Sequence, residues 1–340
     1  MYLSDKNILV TGVCGTVGKE LVKQILSGKF GKIKELVGID NNESELFFTQ
    51  QEFGSKTANF YLRDLRDYGG VRNVMEGIDI VFHAAALKHV GICEISPNEA
   101  VSTNIVGLQN LIKAAKCSQV ERFIFTSSDK AVNPTNVMGT SKLMGERLVS
   151  AANNSRENKG TIFTSTRFGN VLGSRGSVIP IFKKQIQSGQ SVTLTDREMT
   201  RFIMTIDEAA NLVLDSGQLA VGGEVFITKM PVCRIEDIAN VMVDVYAEQG
   251  IISEKPAVTE IGVKPGEKLY EELMSHEEMH RSIETKQYFV VKPAFRDMYD
   301  FEYKYDNVVS EEVNNPYNSS EEPAMSVDEL KAYLLKHSII

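Results

Sequence analysis

The sequence has little of what would place it in several large protein classes. Its 340 residues contain four cysteines, Cys14, Cys93, Cys117 and Cys233, scattered without zinc-site spacing or the density of a disulfide scaffold. Four reduced thiols are expected. No apolar run approaches the ~20 residues needed to span a bilayer, and the opening MYLSDKN lacks a signal-peptide core. Both point to a cytoplasmic protein with no membrane partner. Positive charge is not in excess: the formal net charge of -8 gives no reason to expect a nucleic-acid partner. Internal repeats and low-complexity linkers are also missing. What is present is a chain long enough to bury a substantial core, in one large α/β domain or two lobes.

Residues 7–18, NILVTGVCGTVG, read as strand, turn and helix. Ile8 to Val10 is apolar, Gly12, Gly15 and Gly18 form G-x-x-G-x-x-G, and Lys19 to Leu26 continues with helical periodicity. Glycines let a backbone approach a pyrophosphate, whose charge is stabilised by the free amides and dipole of a helix N-terminus. A second apolar strand, Glu35 to Ile39, ends at Asp40, where an acidic group suits an adenosine ribose. Gly12, Gly15, Thr16, Val17, Gly18, Asp40 and Asn41 are therefore expected to hold a nicotinamide dinucleotide. Asp40 would repel a 2′-phosphate and so leans toward NAD, while Asn41 and Asn42 leave NADP open.

Further βα units follow. Phe60 to Leu62 leads to Asp64 and Leu65. Asp79 to His83 runs into Ala84, Ala85, Ala86, Leu87, Lys88 and His89, and Phe163 to Thr166 leads to Arg167 and Asn170. Strands alternating with helices imply an α/β fold, a Rossmann-type doubly wound parallel sheet. Residues 1–173 are expected to form mainly the coenzyme domain. Residues 174–340 would form a smaller substrate-binding lobe, with some chain crossing back.

The run Arg122 to Thr126 reads as a fully buried strand, and the carboxyl ends of such strands are where open α/β sheets bind ligands. Ser127, Ser128, Asp129 and Lys130 follow directly, with Lys142 on a helix expected over Met138 to Asn153. This resembles the Tyr-x-x-x-Lys element of short-chain dehydrogenases/reductases, with Met138 at the tyrosine position.

The second half begins with Ser174-Arg175-Gly176-Ser177-Val178, hydroxyl-rich and basic enough to hold phosphates before entering a helix. Met199-Thr200-Arg201-Phe202, a helix from Asp207 to Leu219, and Lys264-Pro265-Gly266-Glu267-Lys268 follow. The planar fork of an arginine suits a diphosphate. His276 and His280 share a helix face with Glu277 and Glu278 nearby, read as a solvated surface, and no metal site is expected. Tyr303 to Ala324 is acidic, Asn-rich and Ser-rich, read as a surface arm before a last helix from Val327 to His337.

Together, TGVCGTVG, HAAALKHV, the Glu94 to Asn104 stretch, SSDKAVNPTNVMGTSK, TRFGNVLGSRGSVIP, MTRFIM and KPGEKLYEEL resemble the UDP-N-acetylglucosamine 4,6-dehydratases. These are extended short-chain dehydrogenases/reductases of bacterial polysaccharide and flagellin-glycan biosynthesis. The resemblance spans Thr11 to Leu273. It implies UDP-N-acetylglucosamine as substrate, a tightly bound and recycled NAD(P), and a homo-oligomer. It further implies Asp129 as the acid at sugar C6, Lys130 as the base at C5, and Lys142 as proton relay and ribose contact beside Ser128 and Met138. Asp64, Leu65, the three alanines, Lys88, Asn104 and Arg167 would complete the coenzyme site. Lys88, His89, Asn170, Ser177, Val178, Arg201 and Glu267 would hold the nucleotide sugar. Ser128 stands where many members have threonine, keeping the hydroxyl. A C4 epimerase or reductase, or a non-catalytic coenzyme-binding scaffold, are the alternatives.

Overall fold

The computed structural model describes residues 1–262, 266–294 and 302–340. The N-terminal strand and helix form as β1 (Asn7–Thr11) and α1 (Thr16–Leu26). Alternation continues through β2 (Glu35–Asp40), α2 (Glu43–Phe53), β3 (Ala58–Leu62), α3 (Tyr68–Met75) and β4 (Ile80–His83). Helices α4 (Val90–Ile95) and α5 (Pro97–Ala100), a π-helical stretch Val101–Val106 and α6 (Gly107–Ser118) lead to β5 (Arg122–Ser128). Then come α7 (Val137–Asn153) and β6 (Ile162–Phe168).

These six strands pair in parallel in the order β3-β2-β1-β4-β5-β6. Strand side chains alternate between faces, and here both faces are apolar. Leu9, Val81 and Phe123 pack with residues of α3, α6 and α7. Ile8, Val10, Ile80 and Ile124 face the other way, against α1 and the 206–219 helix. The sheet is therefore covered on both sides, as an all-parallel sheet requires.

The second half supplies β7 (Asn170–Val171), α8 (Val178–Gln187), β8 (Val192–Leu194), β9 (Thr200–Met204), α9 (Ile206–Leu219) and β10 (Val225–Thr228). After β11 (Val232–Arg234) and α10 (Ile235–Glu248) come β12 (Val258–Glu260), β13 (Glu272–Met274) and the short α11 (His276–Met279). β14 (Ser282–Thr285), β15 (Tyr288–Val291), β16 (Val308–Ser310), β17 (Tyr317–Asn318) and α12 (Val327–Lys336) complete the chain. β10 joins β6 in parallel, and β15, β14 and β16 extend the same sheet antiparallel. A second core, with Phe182, Ile238 and Leu330, sits among α8, α10 and α12.

The stretch from Tyr303 to Ala324 lies mostly at the surface, as its composition suggests, but it is anchored at residues 316–319. β17 pairs with β13, and buried Tyr317 packs its ring on Phe202 and Phe289. Its hydroxyl accepts from Met230 N–H at 2.8 Å and donates to Met230 O at 3.0 Å. One buried aromatic anchors a polar segment whose composition alone reads as surface. No helix among the described residues is long and apolar enough to cross a membrane.

Candidate active site

Two cavities meet over the carboxyl ends of the parallel strands. The larger, about 630 Å³, lies along the glycine turn and the ends of β2, β4 and β5. The smaller, about 450 Å³, reaches toward α8, β9 and the 266–272 segment. Lys88, His89, Asp129, Lys130, Asn170 and Ser177 line both.

The glycine turn leaves no space for side chains. A Cβ on Gly12, at φ +73°, would stand 2.7 Å from the Ala85 backbone, and one on Gly18 would stand 2.0 Å from Gly12 O. Such contacts are what the missing Cβ atoms avoid, so α1 sits tightly on the strand ends. Its N-cap is Gly15, without a side-chain cap and without an acid in the first turn, which leaves the positive end of the helix open to an anion. Asp40 accepts from Cys14 N–H and Asn42 N–H, each at 3.0 Å, and these bonds fix the carboxylate at the cavity edge.

At the junction, Ser128 Oγ donates to Asp129 Oδ1. Lys130 Nζ lies 2.9 Å from Asp129 Oδ2 and 3.2 Å from Glu271 Oε1. Asp129 is 3% exposed, so its carboxylate relies on these partners rather than on water. Helix α7 packs directly on this turn: a Cβ on Gly139 would meet Lys130 O at 2.2 Å. From α7, Lys142 Nζ donates to Thr126 O at 2.9 Å and stands 4.9 Å from the Phe125 ring centroid. Burial pulls its pKa down to about 8. Met138 is buried with Cys93 and Ala100. Beneath them His83 Nδ1 lies 2.7 Å from Thr11 Oγ1. Burial, with the Lys142 charge second, pushes that imidazole down to about 3, so it is neutral.

The structure brings most of the residues named from sequence to these two walls. The coenzyme set lines the larger cavity except for Asn104 and Arg167, and the substrate set lines the smaller one. Arg167 stands off both cavity walls. It is 1% exposed and donates to both Glu146 and Glu278, closing an ion-paired cluster under the sheet rather than facing a ligand. Asn104 also lies off the cavity lining: its amide braces the 84–89 loop through Leu87 N and O and bonds Ser141 Oγ. Arg201 lines the smaller cavity, but its guanidinium pairs with Glu271 at 3.1 Å and donates to the carbonyls of Thr200, Lys268 and Leu269. It is not a free fork for a diphosphate. Glu278 leaves the solvated face assigned to it and is buried, while His276 and His280 are exposed. Lys264 and Pro265 lie outside the described residues.

Glu271 and Arg63 were not singled out by sequence, and Ser127 was named only as a neighbour of Ser128 and Asp129. Glu271 sits in a run of acids, and only the pairing of β13 with β17 shows which carboxylate turns inward. Ser127 Oγ and Arg63 Nε are buried without a hydrogen-bond partner beside the larger cavity. Among the described residues, no group of three or more His, Cys, Asp and Glu is placed to hold a metal ion.

A glycine turn on a doubly wound parallel sheet, with a lysine-bearing helix packed on β5 and a C-terminal half that extends the same sheet, defines a Rossmann-type α/β protein. The chain belongs to the polysaccharide biosynthesis protein family, whose model matches residues 8–293. A Methanocaldococcus jannaschii protein, described as an uncharacterized membrane protein, is 49% identical over 293 residues, covering 86% of this chain and 87% of its own. The UDP-glucose 4-epimerase of Rickettsia bellii is 36% identical over 332 residues, covering 97% and 96%. The X-ray structure of Pen from Bacillus thuringiensis is 40% identical, with a TM-score of 0.92 and 100% of both chains covered.

Proposed function

We propose that this protein is a nicotinamide-dependent 4,6-dehydratase of UDP-N-acetylglucosamine. One observation carries the reading: an acid and an amine, Asp129 and Lys130, are paired at 2.9 Å where the two cavities meet. Eliminating water needs a base for one proton and an acid for the leaving oxygen, side by side.

The larger cavity fits a dinucleotide: the helix end would face the pyrophosphate, Asp40 a ribose and Lys142 the second ribose. A bound nicotinamide would supply the redox chemistry, a hydride accepted from sugar C4 and given back at C6. The resulting C4 ketone acidifies the C5 proton. Lys130 takes that proton while Asp129 protonates the C6 oxygen, which leaves as water. As the hydride is returned to C6, Lys130 gives a proton back to C5, and the proton collected from the C4 hydroxyl by Lys142 restores the Asp129 acid through solvent. Ser128 holds the other Asp129 oxygen. Met138 cannot accept the C4 hydroxyl proton, so this falls to Lys142, whose lowered pKa places a neutral amine within reach near pH 8.

Asp40 favours a ribose diol, and hence NAD; Arg63, on the same wall with its Nε unpartnered, is the group that would meet a 2′-phosphate. Denaturing the purified protein and weighing the released nucleotide decides between them. Incubation with UDP-N-acetylglucosamine should yield a product lighter by one water, with no external coenzyme consumed. A C4 epimerase is the second reading, favoured by the name of the Rickettsia relative, and it predicts a product of unchanged mass.

A further inference from the structure

Glu271 Oε1 lies 3.2 Å from Lys130 Nζ and 3.1 Å from Arg201 Nε, so one carboxylate oxygen joins the proposed base to the arginine of the sugar-side cavity. The residue is 6% exposed and held from both sides of its peptide. Its N–H donates to Ser319 Oγ, and its carbonyl accepts from Ser319 N–H, each at 2.9 Å. Ser319 Oγ is also 2.9 Å from Thr200 Oγ1. The acidic tail thus serves as the anchor of a charge at the reacting centre.

We infer that Glu271 is a positioning residue that fixes the Lys130 ammonium and sets the pH at which it gives up its proton. The inference rests on the reading of Lys130 as base. Every charged group around Lys130 bears on it. Asp129 comes from its own turn, and Arg201 reaches it through Glu271. From the 266–272 segment, Lys268 and Glu272 pair with each other at 3.5 Å and with the catalytic loop through Val132 O and Asn133. Glu267, Lys88 and His89 also line the smaller cavity. Asp129 and Glu271 are therefore the two carboxyl groups that pair directly with Lys130. Without the Glu271 charge, Arg201 loses its counter-ion beside the amine, and both changes favour neutral Lys130.

The test is Glu271→Gln, which keeps the shape and removes the charge, with Glu271→Asp as the charge-keeping control. Two readouts are used: the Lys130 titration by ¹⁵Nζ-detected NMR, assigned by loss of the signal in Lys130→Ala, and the pH profile of turnover on UDP-N-acetylglucosamine. In Glu271→Gln the titration and the rising limb of kcat should both move to lower pH by at least about half a unit. In Glu271→Asp the limb should stay nearer the wild-type position even if kcat falls. An unmoved titration in folded Glu271→Gln overturns the inference, because a purely structural role would lower the rate at every pH alike. A moved titration in a protein that does not turn over this sugar leaves the role of Glu271 standing and removes the dehydratase reading instead.

Discussion

Lys142 Nζ donates to Thr126 O at 2.9 Å from a buried position on the wall of the larger cavity, tying α7 to the carboxyl end of β5. Its folded pKa of about 8 lies below the ordinary value of 10.5 because burial disfavours the ammonium. Below pH 8 both folded and unfolded chains carry the proton, and folding bears the full cost of burying the charge. Between pH 8 and 10.5 the unfolded chain binds more protons than the folded one, so stability from this group rises with pH. The shift corresponds to about 3 kcal/mol. Urea unfolding at pH 7 and pH 9 should show the wild type gaining relative to Lys142→Met, which has no charge to bury. Parallel changes in the two proteins would refute this assignment.

The same lysine divides the labour with Met138. Met138→Leu keeps volume and apolarity, so packing should lose under ~1.5 kcal/mol and substantial activity should survive. Lys142→Ala removes the proposed proton relay, and the first oxidation should slow by at least ~100-fold. Rapid-mixing absorbance of the reduced coenzyme on substrate addition isolates that step. Collapse in Met138→Leu with normal oxidation in Lys142→Ala would invert the proposed proton route.

The buried cluster of Arg167, Glu146 and Glu278 predicts a stability defect away from the chemistry. Burial works to raise the Glu278 carboxyl, and the Arg167 charge outweighs it, leaving the group at about 2. Its stabilising contribution is present above the unfolded carboxylate range and is lost as pH falls toward 2. Glu278→Gln leaves one arginine charge less compensated, and breaking such a pair costs about 3 to 5 kcal/mol. Chemical denaturation at pH 7 should show a loss of that order. Loss of catalysis without loss of stability would return Arg167 to the ligand site.

Much of the fold was legible because its strands are short apolar runs bounded by turns and its first turn is marked by three glycines. β1, β2 and α9 lie close to where periodicity places them. The tail was not legible, since a single buried ring, Tyr317, decides its path and composition averages that signal away. Within the site, local motifs located the Asp129, Lys130 and Lys142 side chains. Arg167, Arg201 and Glu271 could not be sorted from sequence, because whether a charge meets a ligand or another side chain depends on Glu278, 111 residues away, as well as Glu146 for Arg167, and on a tail strand for Glu271. Arg167 with Glu278 and Glu271 with Ser319 are long-range pairs of that kind.

The most direct measurement is the reaction with UDP-N-acetylglucosamine in D₂O, followed by mass and proton NMR of the product. Dehydration through Lys130 and Asp129 removes the C5 proton to an exchanging amine and later replaces it. The product should have lost one water and gained one solvent deuterium at C5, and Asp129→Asn combined with Lys130→Ala should abolish it. A product of unchanged mass, inverted at C4 and free of solvent deuterium, would contradict the dehydratase reading and assign the site to epimerisation.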